Sequence, residues 1–218
     1  MKNKFYISDT HFGHTNTWEK FKNPDGTPLR SFSSTEEMDE HMIAQWNSVV
    51  GPYDTVYHLG DVVINQKHLH KISRLNGKKK LIMGNHDIFG FQKYLDAGFY
   101  EICSYRVFVD EFVCSHIPIH PDCISSRFIT NVHGHLHGND VMWDVNEYQS
   151  APYIGMENYN GNIVIQQKDP RYYSVCVEKL DDYKPIAHED LKLAIKKRQE
   201  EANYTPPEKG WGNGSGPG

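Results

Sequence analysis

Asp9 and His11 stand two residues apart after the apolar run Phe5, Tyr6 and Ile7, and Asp61 follows Gly60 after a second such run, "TVYHL". Asn85 and His86 come directly after "LIMG", His116 after "FVCS", and His133, His135 and His137 alternate through "HGHLH". Carboxylate, imidazole and amide groups without a thiolate make a ligand set suited to Mn²⁺, Fe, Ni²⁺ or Zn²⁺. A strand that stops at Gly84 and Asn85 also makes an ordinary turn, so that stretch alone does not separate a turn from a reaction centre. The rest of the set does, because candidate ligands recur at the ends of five apolar runs. In extended backbone, residues i and i+2 face the same side. Asp9 with His11, and the histidines of "HGHLH", are therefore expected to converge.

Two other groups share this spacing and serve as controls. Asp39-Glu40-His41 and His68-Leu69-His70 fall where the apolar period is helical. There, residues two apart diverge by roughly 200° and cannot hold one ion. His41, His68 and His70 are expected on solvated or packed faces instead.

The elements that carry the set alternate. A strand over 4–8 is followed by a helix over 33–50, with Ser34 and Glu37 spaced as a capping box and Met38, Met42 and Trp46 on one face. A strand at 54–61, a helix at 66–75, a strand at 78–83 and a short helix ending at Gly98 come next. Beyond residue 100, short strand-like runs at 105–110, 111–115, 128–133, 161–167 and 172–180 precede a last helix at 189–202. This order predicts an α/β domain over 1–202, with mostly parallel pairing early and more antiparallel strands late. Ligands of such sheets gather outside the carboxyl ends of the strands. Residues 203–218, ending "GWGNGSGPG", read as a flexible tail.

Composition narrows the partners. A net charge of −5 over 218 residues gives no basic surplus for coating duplex nucleic acid. Four scattered cysteines without a C-x-x-C pair argue against a zinc knuckle and fit reduced, buried thiols. No run approaches the roughly 18 apolar residues of a membrane span, and the N-terminus lacks a signal-peptide core. The expectation is a cytoplasmic protein with no membrane partner. Thirteen histidines remain to be explained.

The ordered blocks D-x-H (Asp9, His11), G-D (Gly60, Asp61), G-N-H-D (Gly84 to Asp87), a lone His116 and G-H-x-H (Gly134 to His137) resemble the calcineurin-like metallophosphoesterases. The flanks "SDTHFGHTN", "SHIPIHP" and "DPRYYSVCVE" further resemble the small phosphoesterases of bacteria and bacteriophages, so the cell would be bacterial or a phage-infected host. The resemblance implies a four-layer αββα sandwich with mixed sheets and two divalent metal ions, Mn²⁺ foremost, above the strand ends. It places Asp9, His11 and His137 on one ion, Asn85, His116 and His135 on the other, and Asp61 between them. Two ions roughly 3.5 to 4 Å apart can hold a hydroxide and clamp both oxygens of an in-line displacement at phosphorus. His86, not needed as a ligand, would aid the leaving group as catalytic acid or by stabilising charge.

Around this centre, His14, Asn16, His120 and Arg127 sit in loops that would rim the site and contact substrate phosphate. Asp87 is expected either to orient a neighbouring histidine or to cap the short helix after it. His133 is expected to pack beneath the site. The block "GDVVINQ" lacks the G-D-x-x-D-R-G continuation of the protein serine/threonine phosphatases, which argues against that branch. The aromatic stretch after the last block, 144–163, would form a lid, an interface or a plain excursion. The function implied is hydrolysis of a small, nucleotide-type phosphodiester. The alternatives are a nuclease acting on nucleic-acid ends, a phosphomonoesterase or a non-catalytic scaffold. The intact blocks argue against the scaffold, and the acidic balance argues for a small substrate over nucleic acid.

Overall fold

Along Lys4–Ile7 the side chains alternate between two cores, and this strand, β1, lies inside a sheet covered on both faces. Phe5 and Ile7 join Met38, Met42, Ile43 and Trp46 in one core, while Tyr6 joins the other. Period-two alternation in a doubly buried strand requires apolar residues at both phases, which "FYI" supplies.

The computed structural model describes residues 2–109, 111–124, 128–144 and 166–206. After β1 come α1 (Asn16–Glu19), α2 (Thr35–Val49), β2 (Thr55–His58), a 3-10 helix (Gln66–Arg74), β3 (Lys78–Ile82), α3 (Phe91–Ala97) and β4 (Phe99–Cys103). Then follow β5 (Tyr105–Phe108), β6 (Phe112–Ser115), β7 (Thr130–His133), β8 (Met142–Asp144), β9 (Gln166–Lys168), β10 (Tyr172–Ser174), β11 (Ile186–Ala187) and α4 (His188–Glu201). The expected lid or excursion and the far end of the expected tail fall largely outside the described residues.

One sheet has the order β11-β1-β2-β3-β4, the other β10-β7-β6-β5, and β8 pairs with β9 separately. β1 to β4 are parallel, with β11 antiparallel at the edge. The later strands bring the antiparallel pairs, as expected: β5 with β6, β8 with β9 and β11 with β1. In the second sheet β6, β7 and β10 are parallel, and β5 alone of its strands runs antiparallel to its neighbour. Parallel neighbours need long crossovers, which 116–129 and 134–171 provide. Ser8 bridges Cys176 beyond β10 and so ties the two sheets together at one edge.

The architecture is an α/β sandwich with mixed sheets. α2, α3 and the 3-10 helix pack on the first sheet. Tyr6, Tyr57, Leu59 and Ile82 face Phe112, Cys114 and Val132 of the second sheet. α4 inserts Leu191 and Ile195 into this inter-sheet core and reaches the second sheet through Gln199 Nε2, which donates to Thr130 Oγ1 at 3.1 Å. Ser34 caps α2 as its spacing predicts, its Oγ accepting from Glu37 N at 3.1 Å. Among the described residues no helix is long and apolar enough to cross a membrane. Cys114 and Cys176 are buried as expected, whereas Cys123 is exposed.

Candidate metal centre

At the carboxyl ends of β1 and β2 the chain leaves the extended region abruptly. Asp9, His11 and Asp61 have φ of 57°, 46° and 57°, and His135 and His137 have 72° and 49°. The expectation that these pairs converge along extended backbone is therefore corrected, because each of the five lies in the left-handed region. Such a conformation costs a non-glycine residue about 1 kcal/mol or more and persists only where the surroundings over-determine it. Here they do. Asp9 N donates to Gly60 O at 2.9 Å and His11 N to Asp61 O at 3.1 Å, so the two strand-end loops interlock. His135 N donates to Asp9 Oδ2 at 2.9 Å. Gly84 and Gly134 permit the approach, since a Cβ on the first would overlap the Asp61 carboxylate and one on the second would overlap Asp9 and Ser8.

These loops gather two groups of side chains. Asp9, His11 and His137 form one, and Asp61, His116 and His135 the other, with the ligand atoms of each group within 4.8 Å of one another. Asp61 Oδ2 stands between the groups, 3.6 Å from His11 Nε2 and 3.4 Å from His116 Nε2. Asn85 Oδ1, 3.0 Å from His116 Nε2, extends the second group. Asp9 Oδ1 is buried without a hydrogen-bond donor, 3.8 Å from His11 Nε2 and 3.9 Å from His137 Nε2. A buried, unpartnered carboxylate oxygen among convergent imidazole nitrogens is a donor set that a divalent cation satisfies.

The electrostatics of His11 and Asp61 agree. Burial, with the Arg30 charge, pushes His11 well below the ordinary histidine range, which keeps its ring in the neutral, ligating form. Burial would raise the Asp61 carboxyl, but His116, the His86 N–H and His11 together hold it down at about 2. The Asp9 carboxyl, wholly buried, is raised.

A layer of supporting residues carries no signal in the sequence reading. Arg30, 1% exposed, donates from Nη2 to Asp9 O at 2.6 Å and from Nη1 to Thr10 O at 2.9 Å. Its Nε and Nη2 also reach Glu178 Oε1 at 2.8 and 2.7 Å. The same Oε1 lies 3.1 Å from His137 Nδ1. A carboxylate at Nδ1 fixes the ring so that Nε2 faces the first group. His116 is fixed likewise, its Nδ1 2.7 Å from Leu59 O. Burial would raise the Glu178 carboxyl, yet Arg30 and His137 hold it at about 2. Asp87 corrects the sequence reading, since it neither orients a histidine nor caps α3. Its carboxylate accepts from Asp61 N, Gly84 N and Val62 N at 2.7, 2.8 and 3.1 Å, clamping the second strand-end loop to the third.

The remaining candidates divide. His86 is exposed at the edge of the centre, its N donating to Asp61 Oδ1 at 2.9 Å and its ring 5.9 Å from that of His11. The His14 ring lies 5.6 Å from His11, edge to face, with a buried Nδ1 that has no partner. Asn16 opens α1 and is half-buried there. His120 is 71% exposed and accepts from Asp122 N at its own 3-10 turn, and it belongs to neither ligand group. Arg127 lies outside the described residues. His133 is buried with Nδ1 2.8 Å from Gly134 O and its ring edge-on to Tyr172, so it packs rather than joining either group. His41 pairs with Asp182 at 2.9 Å and His70 bonds Lys67 O at 2.7 Å, while the His68 ring lies against Gly13. None of the three enters a ligand group.

No family model matches the chain. The gene 66 protein of Mycobacterium phage L5 is 39% identical over 93 residues, 40% of this chain and 41% of the phage protein. A crystal structure of a protein of unknown function from Aquifex aeolicus aligns with 89% of this chain and 100% of its own, at 25% identity and a TM-score of 0.57, and so shares the fold. A structure described as a novel archaeal phosphodiesterase covers 66% of this chain at 18% identity and a TM-score of 0.38, too slight a likeness to carry weight. An uncharacterized protein of Methanocaldococcus jannaschii is 30% identical over 175 residues, which span 76% of this chain and 83% of that protein. With most of both chains aligned at that identity, the chain belongs to the family of this archaeal protein.

Proposed function

We propose that the protein is a phosphoesterase with a dinuclear metal centre, acting on a small organic phosphodiester. The observation that carries this reading is the position of Asp61 Oδ2 between His11 Nε2 and His116 Nε2, one carboxylate shared by two ligand groups. Asp9, His11 and His137 would hold one ion, Asn85, His116 and His135 the other, and Asp61 both. When bound, divalent ions such as Mn²⁺ supply Lewis-acid polarisation of a phosphoryl oxygen and lower the pKa of a nucleophilic water. A neutral amide at Asn85 adds an oxygen without charge, so the centre stays attractive to a phosphate. His86, exposed beside the centre and held through its backbone N–H, would give a proton to the departing oxygen. His14, next to His11, is the rim residue best placed to contact phosphate.

The test is removal of bound metal, reloading with Mn²⁺, Fe, Ni²⁺ or Zn²⁺, and assay on phosphodiesters, cyclic nucleotides, monoesters and short oligonucleotides. The expected result is two ions per chain and metal-dependent turnover of diesters. Asp61→Asn should lose both, since an amide cannot easily serve two cations. A variant with two ions retained and normal turnover removes Asp61 from the bridge, and a loaded wild type that cleaves no ester overturns the reading.

A further inference from the structure

The second ligand group borders a cavity of about 320 Å³ that the proposed chemistry does not use. Asn85 and His116 form the side nearest the centre, and Met83 and Ile117 supply apolar walls. The cavity lies where the two sheets meet. Met83 N donates to Cys103 O at 3.0 Å, and at Ser104 the chain passes from β4 to β5. On the opposite side Ser115 ends β6. Its Oγ donates to Ile117 O at 2.8 Å and accepts from Asn131 Nδ2 at 2.9 Å. That hydroxyl is thus engaged in holding Ile117, whose side chain nevertheless stands 52% exposed.

Charge and size restrict the occupant. None of the described lining residues is Lys or Arg, whereas a polyphosphate or a nucleic-acid strand requires cations opposite its phosphates. The volume sits at the small end of the range of about 300 to 1,000 Å³ for ligand pockets, with room for one ring system. A thioether and a branched alkyl chain are suitable walls for a flat, polarisable group.

Resting on the phosphoesterase reading above, we infer that this cavity receives the uncharged organic group of the substrate ester, a ring of aryl or nucleobase size held between Met83 and Ile117. The phosphoryl group then lies over the two ligand groups, and Ser104, exposed at the rim, sets the depth available. The protein would select esters by this organic group and not by a second charge.

The experiment uses the full chain loaded with Mn²⁺, titrated with phenylphosphonate and methylphosphonate. These probes share their phosphoryl oxygens and differ in the organic group. Wild type should bind the phenyl compound at least about tenfold more tightly, equivalent to about 1.4 kcal/mol. Ser104→Trp, which fills the cavity from a residue outside the metal centre, should abolish this preference and leave methylphosphonate binding unchanged. Ile117→Ala should reduce it. Equal affinity of wild type for both probes overturns the cavity assignment alone. Failure of both probes to bind the loaded protein overturns the phosphoesterase reading and the assignment with it. Displacement of phenylphosphonate by a short oligonucleotide, with affinity falling steeply as salt rises, assigns the cavity to nucleic acid and overturns the inference.

Discussion

Asn85 and His86 are neighbours with different expected duties, and their variants should fail differently. Asn85→Ala removes an oxygen 3.0 Å from His116 Nε2, so metal at the second group should weaken and excess Mn²⁺ should restore part of the activity. His86→Ala should leave both ions bound and lower the rate by about 10² to 10⁴-fold, the usual contribution of a proton donor. That loss should shrink on nitrophenyl esters, whose leaving group needs little protonation. Metal loss in His86→Ala would show that its ring is a ligand. Glu178 is tested through affinity. Glu178→Gln leaves the Arg30 charge without its partner and weakens the acceptor at His137 Nδ1. Metal affinity in calorimetric titration of the folded variant should fall by about 10 to 100-fold. Unchanged affinity would confine Glu178 to neutralising Arg30.

The strand ends depend on loops that approach closely. Gly84 follows β3 and lies against Asp61, which follows β2, with Asp87 accepting from the backbone of both loops. Gly84→Ala introduces a methyl that overlaps the Asp61 carboxylate. The expected outcome is impaired metal uptake with a far-ultraviolet circular dichroism spectrum like that of wild type, because β2 and β3 are themselves untouched. Full uptake in that variant would mean that the loops separate at little cost.

The sandwich as a whole buries histidines that are not ligands, and this makes its stability depend on acidity. His58 is fully buried, bonded through Nε2 to Thr10 Oγ1 at 3.0 Å and stacked on Trp46. Burial lowers its pKa to about 3, below the ordinary value of about 6.5. The folded state therefore favours the neutral ring. The stabilisation is complete above pH 6.5 and is lost as pH falls from there towards 3, by about 1.4 kcal/mol per pH unit. His133, lowered to about 4, acts with the same sign, whereas His116 and His137, raised chiefly by Asp61 and Glu178 against the effect of burial, oppose it in the metal-free chain. The clean measurement is a difference. Between pH 6.5 and 4.5, denaturant unfolding of metal-free His58→Gln should lose about that slope relative to wild type. Parallel profiles would show that His58 is solvated or protonated in the fold.

The strand-end blocks from Asp9 to His137 could be read without coordinates because apolar runs that stop at polar, metal-capable residues are a local pattern. The α2 cap at Ser34 and the exclusion of His41, His68 and His70 were legible for the same reason, since helical period and capping are set by neighbours in the chain. The backbone at Asp9, His11, Asp61, His135 and His137 was not. Left-handed φ at those residues has no local cause in their types and is imposed by interlocking loops from different strands. Nor could Arg30 and Glu178 be recognised, 148 positions apart in the chain and joined only when β10 lies beside β7 and returns the chain to β1. The parallel course of β6, β7 and β10 was hidden likewise, because a short strand carries its burial pattern in its residues but not the direction of its neighbour. Pairing direction and supporting contacts are set by which segments meet, and that is decided by packing of the whole chain.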